Sequence, residues 1–354
     1  MAYQAEPKTI KTRILCLAGT HNKELRHLPH DEVDLVLHCG DLTKNSKVAE
    51  YQEAIQQLAA IKAPLKIVIH GPNDITLDEN TWIGCGEAMR PRAPAAVRQL
   101  VQRKLEREHV LQMVKAASED GIRLITTRGT QQILLRNGAF LTLHARPYNR
   151  PYGCFADLKY EPSQVFDFDI GHDVDVVMSS YPPLGVLDEG RDGALGGCPN
   201  LFSAIALGKP KVHCFGHAHG HWGAKMVKWQ DGSTFTMKAT HLTAINHRES
   251  YPIELAQHFK IDRADSRLEA QRKKEHKRHC EEKGYVETRY PEGVTSPFQS
   301  PTRTLFVNAT VRGDSEDSEE NFPWLVELDL PCVEHRTPID YSWFERGDTP
   351  ESFY

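Results

Sequence analysis

Five short apolar runs, each breaking off into a polar loop, constrain this chain more than any other feature. They are residues 13–18 (RILCLA) before Gly19-Thr20-His21 and 34–38 (DLVLH) before Cys39-Gly40-Asp41. Next comes 65–69 (LKIVI), before His70-Gly71-Pro72-Asn73-Asp74. The last two are 174–178 (VDVVM) before Ser179-Ser180-Tyr181-Pro182-Pro183, and 211–215 (KVHCF) before Gly216-His217-Ala218-His219. Continuous apolar runs of this length read as strands buried on both faces. Between the second and third, Tyr51, Ile55, Leu58 and Ile61 recur at helical spacing over 48–61. Strands alternating with helices imply an α/β sheet, and in such sheets the C-terminal strand ends carry the chemistry.

The remaining chain fits the same frame. Residues 95–118 read as a long amphipathic helix carrying Val97, Leu100, Val101, Leu105, Leu111 and Val114, with Gly121 as its stop. Strands are expected at 123–126, 132–135, 140–144, 305–311 and 325–328. The stretch 267–284 is charged almost throughout, with Glu269, Glu275, Glu281 and Glu282 among its basic residues. That mixture predicts a solvated, salt-bridged helix rather than a nucleic-acid surface. Residues 146–155 form a Pro- and Tyr-rich loop, and Tyr148, Tyr152 and Tyr181 are candidates to line a pocket.

With 354 residues, 40% apolar and 26% charged, the chain can bury a large core as one domain, 1–354. A net charge of -5 gives no sign of a general nucleic-acid or membrane binder. Residues 1–12 lack an apolar leader segment, and no run is long enough to span a bilayer. The eight cysteines are scattered without a C-x-x-C pair. This predicts reduced thiols in a cytoplasmic protein. The sequence is silent on oligomeric state.

His21, Asp41, Asn73, Asp74, Ser180, His217 and His219 all fall at strand ends. Neutral imidazoles with a carboxylate are a donor set for a borderline divalent or trivalent cation such as Mn, Fe or Zn. A lone G-H-x-H is a weak signal; G-D after one buried run and G-H-x-H after another is much stronger. Asp41 also has a local reading as a turn or helix-cap residue, with Thr43 beside it.

On these blocks the chain resembles the calcineurin-like metallophosphoesterases, and most of all their class III phosphodiesterase-like branch. Ala18-Gly19-Thr20-His21 lies where that family has S-D-T-H, and His38-Cys39-Gly40-Asp41 matches its G-D block. Gly71-Pro72-Asn73-Asp74 lies at G-N-H-[DE], Ser179-Ser180-Tyr181-Pro182-Pro183 at T-H-G-P-P, and Gly216-His217-Ala218-His219 at the intact G-H-x-H. The resemblance covers most of 12–80, 133–225 and 304–330. It implies a four-layer αββα sandwich with two insertions, a helical one at 83–130 and a charged, Pro-rich one at 249–302. At least one of these is expected to cover the cleft. The implied metal residues are His21, Asp41, His217 and His219. The ungapped register puts Asn73 where the catalytic His belongs. A slip by one would make Asn73 a ligand and put Asp74 at the catalytic position. Ser180 replaces a ligand His, and with Tyr181, His70 and His144 it is a candidate substrate-binding residue.

The departures reshape the functional expectation. Gly19 and Pro72 replace ligand residues, and Asn73 cannot act as a general acid. The first cation position keeps three of four residues. The second keeps Asp41 and His217. A degenerate, mononuclear or metal-free site is therefore expected, with a small polar molecule as substrate. Three readings stand: a weak or specialised hydrolase, an enzyme repurposed to another reaction, and, as the alternative, a non-catalytic pseudo-phosphoesterase.

Overall fold

The computed structural model describes residues 8–79, 82, 94–148, 170–189, 195–231, 239–288, 298, 302–312 and 320–332, with the backbone alone for 94–102. Tyr152, most of the Pro- and Tyr-rich loop and most of 289–301 in the charged, Pro-rich insertion lie outside these residues.

Two sheets lie face to face. The first contains β1 (Thr9–Leu17), β2 (Leu35–His38), β3 (Lys66–Ile69), β4 (Ile122–Ile125), β11 (Val286–Glu287) and β13 (Trp324–Pro331), in the order β11-β13-β1-β2-β3-β4. The second contains β5 (Gly129–Leu134), β6 (Phe140–Arg146), β7 (Val176–Ser179), β8 (Val212–Phe215), β9 (Gly223–Lys228), β10 (Tyr251–Leu255) and β12 (Arg303–Asn308). Its order is β10-β9-β12-β8-β7-β6-β5.

The apolar runs explain the layering. In β1, Ile14 and Cys16 face the second sheet, where they join Met178, Cys214, Met226 and Val307 in one core. Leu15 and Leu17, alternating with them, face outward onto Ala54 and Leu58 of the helix Val48–Ala60. On the far side, Val177, Phe215 and Phe306 pack against Leu201, Phe202 and Ile205 of the helix Pro199–Gly208. The central strands β2, β3, β7 and β8 are buried on both faces, so their sequences show no polar alternation. The result is helix–sheet–sheet–helix, the αββα arrangement. A second helix, Pro94–Ala116, packs beside the first through Val110, against Tyr51 and Leu77.

Strand direction then collects the loops. β1, β2, β3 and β4 run parallel, with Leu17 opposite His38 and His38 opposite Val68. In the other sheet β6, β7, β8 and β12 run parallel, with Ser179 opposite Phe215 and Phe215 opposite Asn308. Backbone bonds from Ala18 N to Ala309 O and from Val311 N to Ala18 O sew the two sheets together at this edge. Five loops from distant parts of the chain therefore meet there.

Both segments outside the resemblance contribute to the frame. Residues 94–125 supply a packed helix and the edge strand β4. The segment after Glu249 begins as β10 on β9 and ends as β11 on β13, so it joins the outer edges of the two sheets. Between them the helix Arg267–Lys283 is capped by Ser266, whose hydroxyl accepts from Glu269 N, and stopped by Gly284 in a left-handed turn. As its composition predicts, Cys280 is the buried residue of this helix. Glu254 receives His258 and His276, and Phe259 packs on Trp222 and Phe322. Sequence reading placed the other described strands within a few residues and missed β9, β10 and β11. The lysines of GAKMVK and the proline of YPIEL hide the apolar pattern in the first two.

Candidate functional site

Glycine geometry brings the loops into contact. A Cβ on Gly71 would sit 2.3 Å from Asp41 N and 2.5 Å from Asp41 Oδ1, and one on Gly40 would sit 2.8 Å from Gly71 N. Only bare backbone lets the β2 and β3 loops approach so closely. Asp74 then locks them. Its Oδ2 accepts from Leu42 N (3.1 Å) and Gly71 N (2.9 Å), and its Oδ1 accepts from Thr43 N (2.9 Å) and Thr43 Oγ1 (2.7 Å). Asp74 is fully buried. Burial and the neighbouring Asp41 charge push its carboxyl up to about 7, against four donors that favour the charged form. The structure thus places Asp74 as a clamp between loops, with both its oxygens engaged.

Asp41 is next to the clamp and is itself buried. Its Oδ1 accepts from Asn73 N (2.9 Å) and Asn73 Nδ2 (3.0 Å). Its Oδ2 lies 3.6 Å from His217 Nδ1, an ion-pair distance too long for a hydrogen bond. Burial opposes its ionisation, but His217, His21 and the Asn73 N–H outweigh that and hold it at about 2. His217 sits in a left-handed turn, φ 74°, with its ring 4.6 Å from Tyr181, which stacks on Tyr148 at 5.2 Å. Ser180 is buried, its N–H donating to Arg146 O.

The other half is built differently. His21 Nδ1 lies 3.2 Å from Thr43 O, and His219 Nδ1 lies 3.2 Å from Arg312 O. A carbonyl can only accept, so each Nδ1 carries a proton, and in the neutral His21 ring Nε2 keeps its lone pair. The two rings are 5.4 Å apart. His21 is 8% exposed, and its Nε2 has no hydrogen-bond partner. Burial, with the Arg312 charge acting against Asp41, lowers its pKa and keeps the ring neutral. A Cβ on Gly19 would point into the same space, 3.5 Å from His219 Cε1 and 3.6 Å from His21 Nε2.

An imidazole held by a backbone carbonyl through Nδ1, with Nε2 outward, is the usual posture of a metal-ligating histidine. The His21–His219 pair therefore fits a cation. Among the described residues, however, no three His, Cys, Asp or Glu groups form a ready-made cage. Asp41 is turned toward Asn73 and His217.

Two expected substrate-binding residues turn away from the inter-sheet core. His144 alternates with Leu143 and Ala145, which face the inter-sheet core, so it points to the outer face, where its Nδ1 meets Thr130 Oγ1 at 2.9 Å. His70 shares the helical side with Val68 and is 2% exposed, with Asp78 as its charged neighbour. Three contributors were missed. Asn308 Nδ2 donates to Ala218 O (2.7 Å) and His221 O (2.9 Å), holding the G-H-x-H loop. Thr310 walls the Gly19 space. Arg312 presents its carbonyl to His219 and its charge to His21. The polar end of the 305–311 run was the available signal.

No family model matches the chain. It is similar to Probable rhamnogalacturonate lyase C of Emericella nidulans, 28% identical over 221 residues, covering 61% of this chain and 18% of that protein. It is also similar to UPF0046 protein K07C11.7 of Caenorhabditis elegans, 23% identical over 68% of this chain and 73% of that protein. With Metallophosphoesterase domain-containing protein 1 of Homo sapiens the identity is 23%, over 68% of this chain and 69% of that protein. The fold is that of the calcineurin-like metallophosphoesterases. The match to the lyase spans under a fifth of that protein's length. Among the described residues, no helix is long and apolar enough to cross a membrane.

Proposed function

We propose that this metallophosphoesterase-like chain is an enzyme with one cation centre, held by His21 and His219 with Asp41 within reach. It acts as a weak or specialised phosphoester hydrolase, or on another polar small molecule, in the cytoplasm. The observation that carries this reading is the matched posture of His21 and His219, each fixed by a backbone carbonyl beside the space at Gly19. The donor set suits Mn, Fe or Zn. Such a cation supplies Lewis acidity to a phosphoryl or carbonyl oxygen. The chain's own groups shape the rest: Asp41 and the Tyr181–His217 pair flank the ligand, and Asp74 holds the loops in place.

One further observation favours a second reading. Asn73 occupies Asp41 Oδ1 and offers no proton-transfer group, which suits a pseudo-phosphoesterase that binds its ligand without turning it over. Turnover of a bis-aryl phosphodiester with added Mn²⁺ separates the two. The enzyme reading expects very weak turnover that disappears in His219→Ala. Complete inactivity toward this ester and toward other polar esters supports the binding reading. Robust turnover abolished by Asp41→Ala would show that Gly19, Pro72, Asn73 and Ser180 are not disabling.

A further inference from the structure

Among the described residues, the strands at sheet edges are β11 and β4 in the first sheet and β10 and β5 in the second. An edge offers a row of backbone donors and acceptors to any other strand, and a charge or a proline on it discourages pairing. β11 carries Glu287, β4 carries Arg123, and β10 carries Pro252 and Glu254. β5 (GTQQIL) carries neither a charge nor a proline. It pairs with β6, and its last residue, Leu134, is 43% exposed. Ile133 faces the inter-sheet core, so Leu134 lies on the outer face. β5 is thus an undefended edge that ends in an exposed apolar residue.

The chain arrives beside this edge at Cys332. After β13, Cys332 forms an antiparallel bridge with Ala139, whose carbonyl accepts from Leu135 N, the residue that follows β5. Residues 333–354 continue from there and lie outside the described residues. Within them Ile339, Tyr341 and Trp343 alternate with Asp340 and Ser342, between Pro338 and Gly347. Alternation of β-branched and aromatic residues with polar ones, bounded by proline and glycine, is the pattern of a half-buried strand. Extended, residues 333–338 reach up to about 20 Å, enough to turn from Cys332 onto the edge of β5.

We propose that residues 339–343 dock on the outer edge of β5 as a further strand of the second sheet. Entering at the Leu134 end, the segment runs antiparallel to β5, with Ile339, Tyr341 and Trp343 on the outer face beside Leu134. The occupant is this segment rather than a second copy or another protein, because the short tether from Cys332 holds it at high effective concentration. Docking closes the edge that carries no charge or proline of its own. The inference is independent of the cation centre proposed above.

The test is hydrogen exchange of the full chain, followed by mass spectrometry over 129–134 and, as an internal reference, over 305–308. In the wild type the outward amides of β5 are expected to exchange slowly. Tyr341→Pro removes a ladder donor and is expected to speed them at least about tenfold while leaving 305–308 unchanged. Should Tyr341→Pro fail to fold, Trp343→Ser keeps every backbone donor and is expected to speed them about threefold. Fast exchange at β5 in the wild type overturns the proposal, since the edge is then open. Slow exchange that neither variant alters also overturns it. So does protection that grows with protein concentration, which would mark a second copy as the occupant.

Discussion

The two halves of the site stand a few ångströms apart and solve opposite problems. In the His21–His219 half, each ring is anchored through Nδ1 to a carbonyl, and His21 Nε2 is buried without a partner. A buried, unpartnered acceptor costs on the order of 1–3 kcal/mol, so this half is organised for something that the chain does not contain. In the Asp41–His217 half, the carboxylate is already engaged, while His217 Nδ1, 3.6 Å from it, likewise makes no hydrogen bond. Asn73 takes one carboxylate oxygen, His217 lies beside the other, and Tyr181 covers the imidazole. This half is organised around an engaged carboxylate, and the first around an unengaged His21 nitrogen.

The largest effect that could break this contrast is on cation affinity. His21→Ala is expected to weaken Co²⁺ binding by about a hundredfold or more, whereas Ser180→Ala should change it by less than about twofold. Equal losses would mean that both halves hold the ion.

Next comes the clamp that serves both halves. Asp74→Ala strands the Leu42, Gly71 and Thr43 donors in the interior. Urea denaturation should show a loss on the order of 4 kcal/mol. A loss near zero would show that the loops do not depend on it.

Acid compares the foundations of the two halves. His38 lies under the first, at 3.1 Å from Thr20 Oγ1, and His213 under the second, at 2.8 Å from Ser179 Oγ. Burial lowers both from 6.5 to about 3. A depressed histidine protonates more readily in the unfolded chain. Stability is therefore full above pH 6.5 and is lost as pH falls toward 3. Asp41, lowered from 3.8 to about 2, adds its own loss only below pH 4. Asp74 and Glu320, raised to about 7, act in the opposite sense over the same window, so the test is the difference between two proteins. Between pH 6.5 and 4 the urea midpoint is expected to drop less, or rise more, in His213→Gln than in the wild type, and identical pH profiles would contradict the neutral, buried state of His213.

The smallest effect sharpens the role of Asn73. Asn73→Ala removes the side-chain bond to Asp41 Oδ1 but keeps that from Asn73 N–H, and should tighten cation binding by about fivefold, roughly one hydrogen bond's worth, without adding a second ion. Appearance of a second ion would show that Asn73 alone keeps the other half closed.

How much of this was legible in the sequence follows from range. An α/β sheet was readable because strands buried on both faces leave continuous apolar runs such as LVLH and VHCF, and the αββα sandwich followed from the family resemblance. The meeting of the strand-end loops was readable because they follow those runs directly. Orientation was not. Asp74 sits beside Asn73 in sequence, yet one faces the backbone of Leu42 and Thr43 and the other faces Asp41. His144 follows a buried strand residue, and period-two alternation sends it to the wrong face. Arg312 joins His219 across a separation of 93 residues, which no local pattern encodes.

Cation content per chain tests the central claim most directly, measured on protein purified without chelator as wild type, His217→Ala and His219→Ala. The asymmetry of the two halves predicts about one ion in the wild type, about one in His217→Ala, and none in His219→Ala. Two tightly held ions in the wild type, or loss of the ion in His217→Ala with retention in His219→Ala, would contradict it.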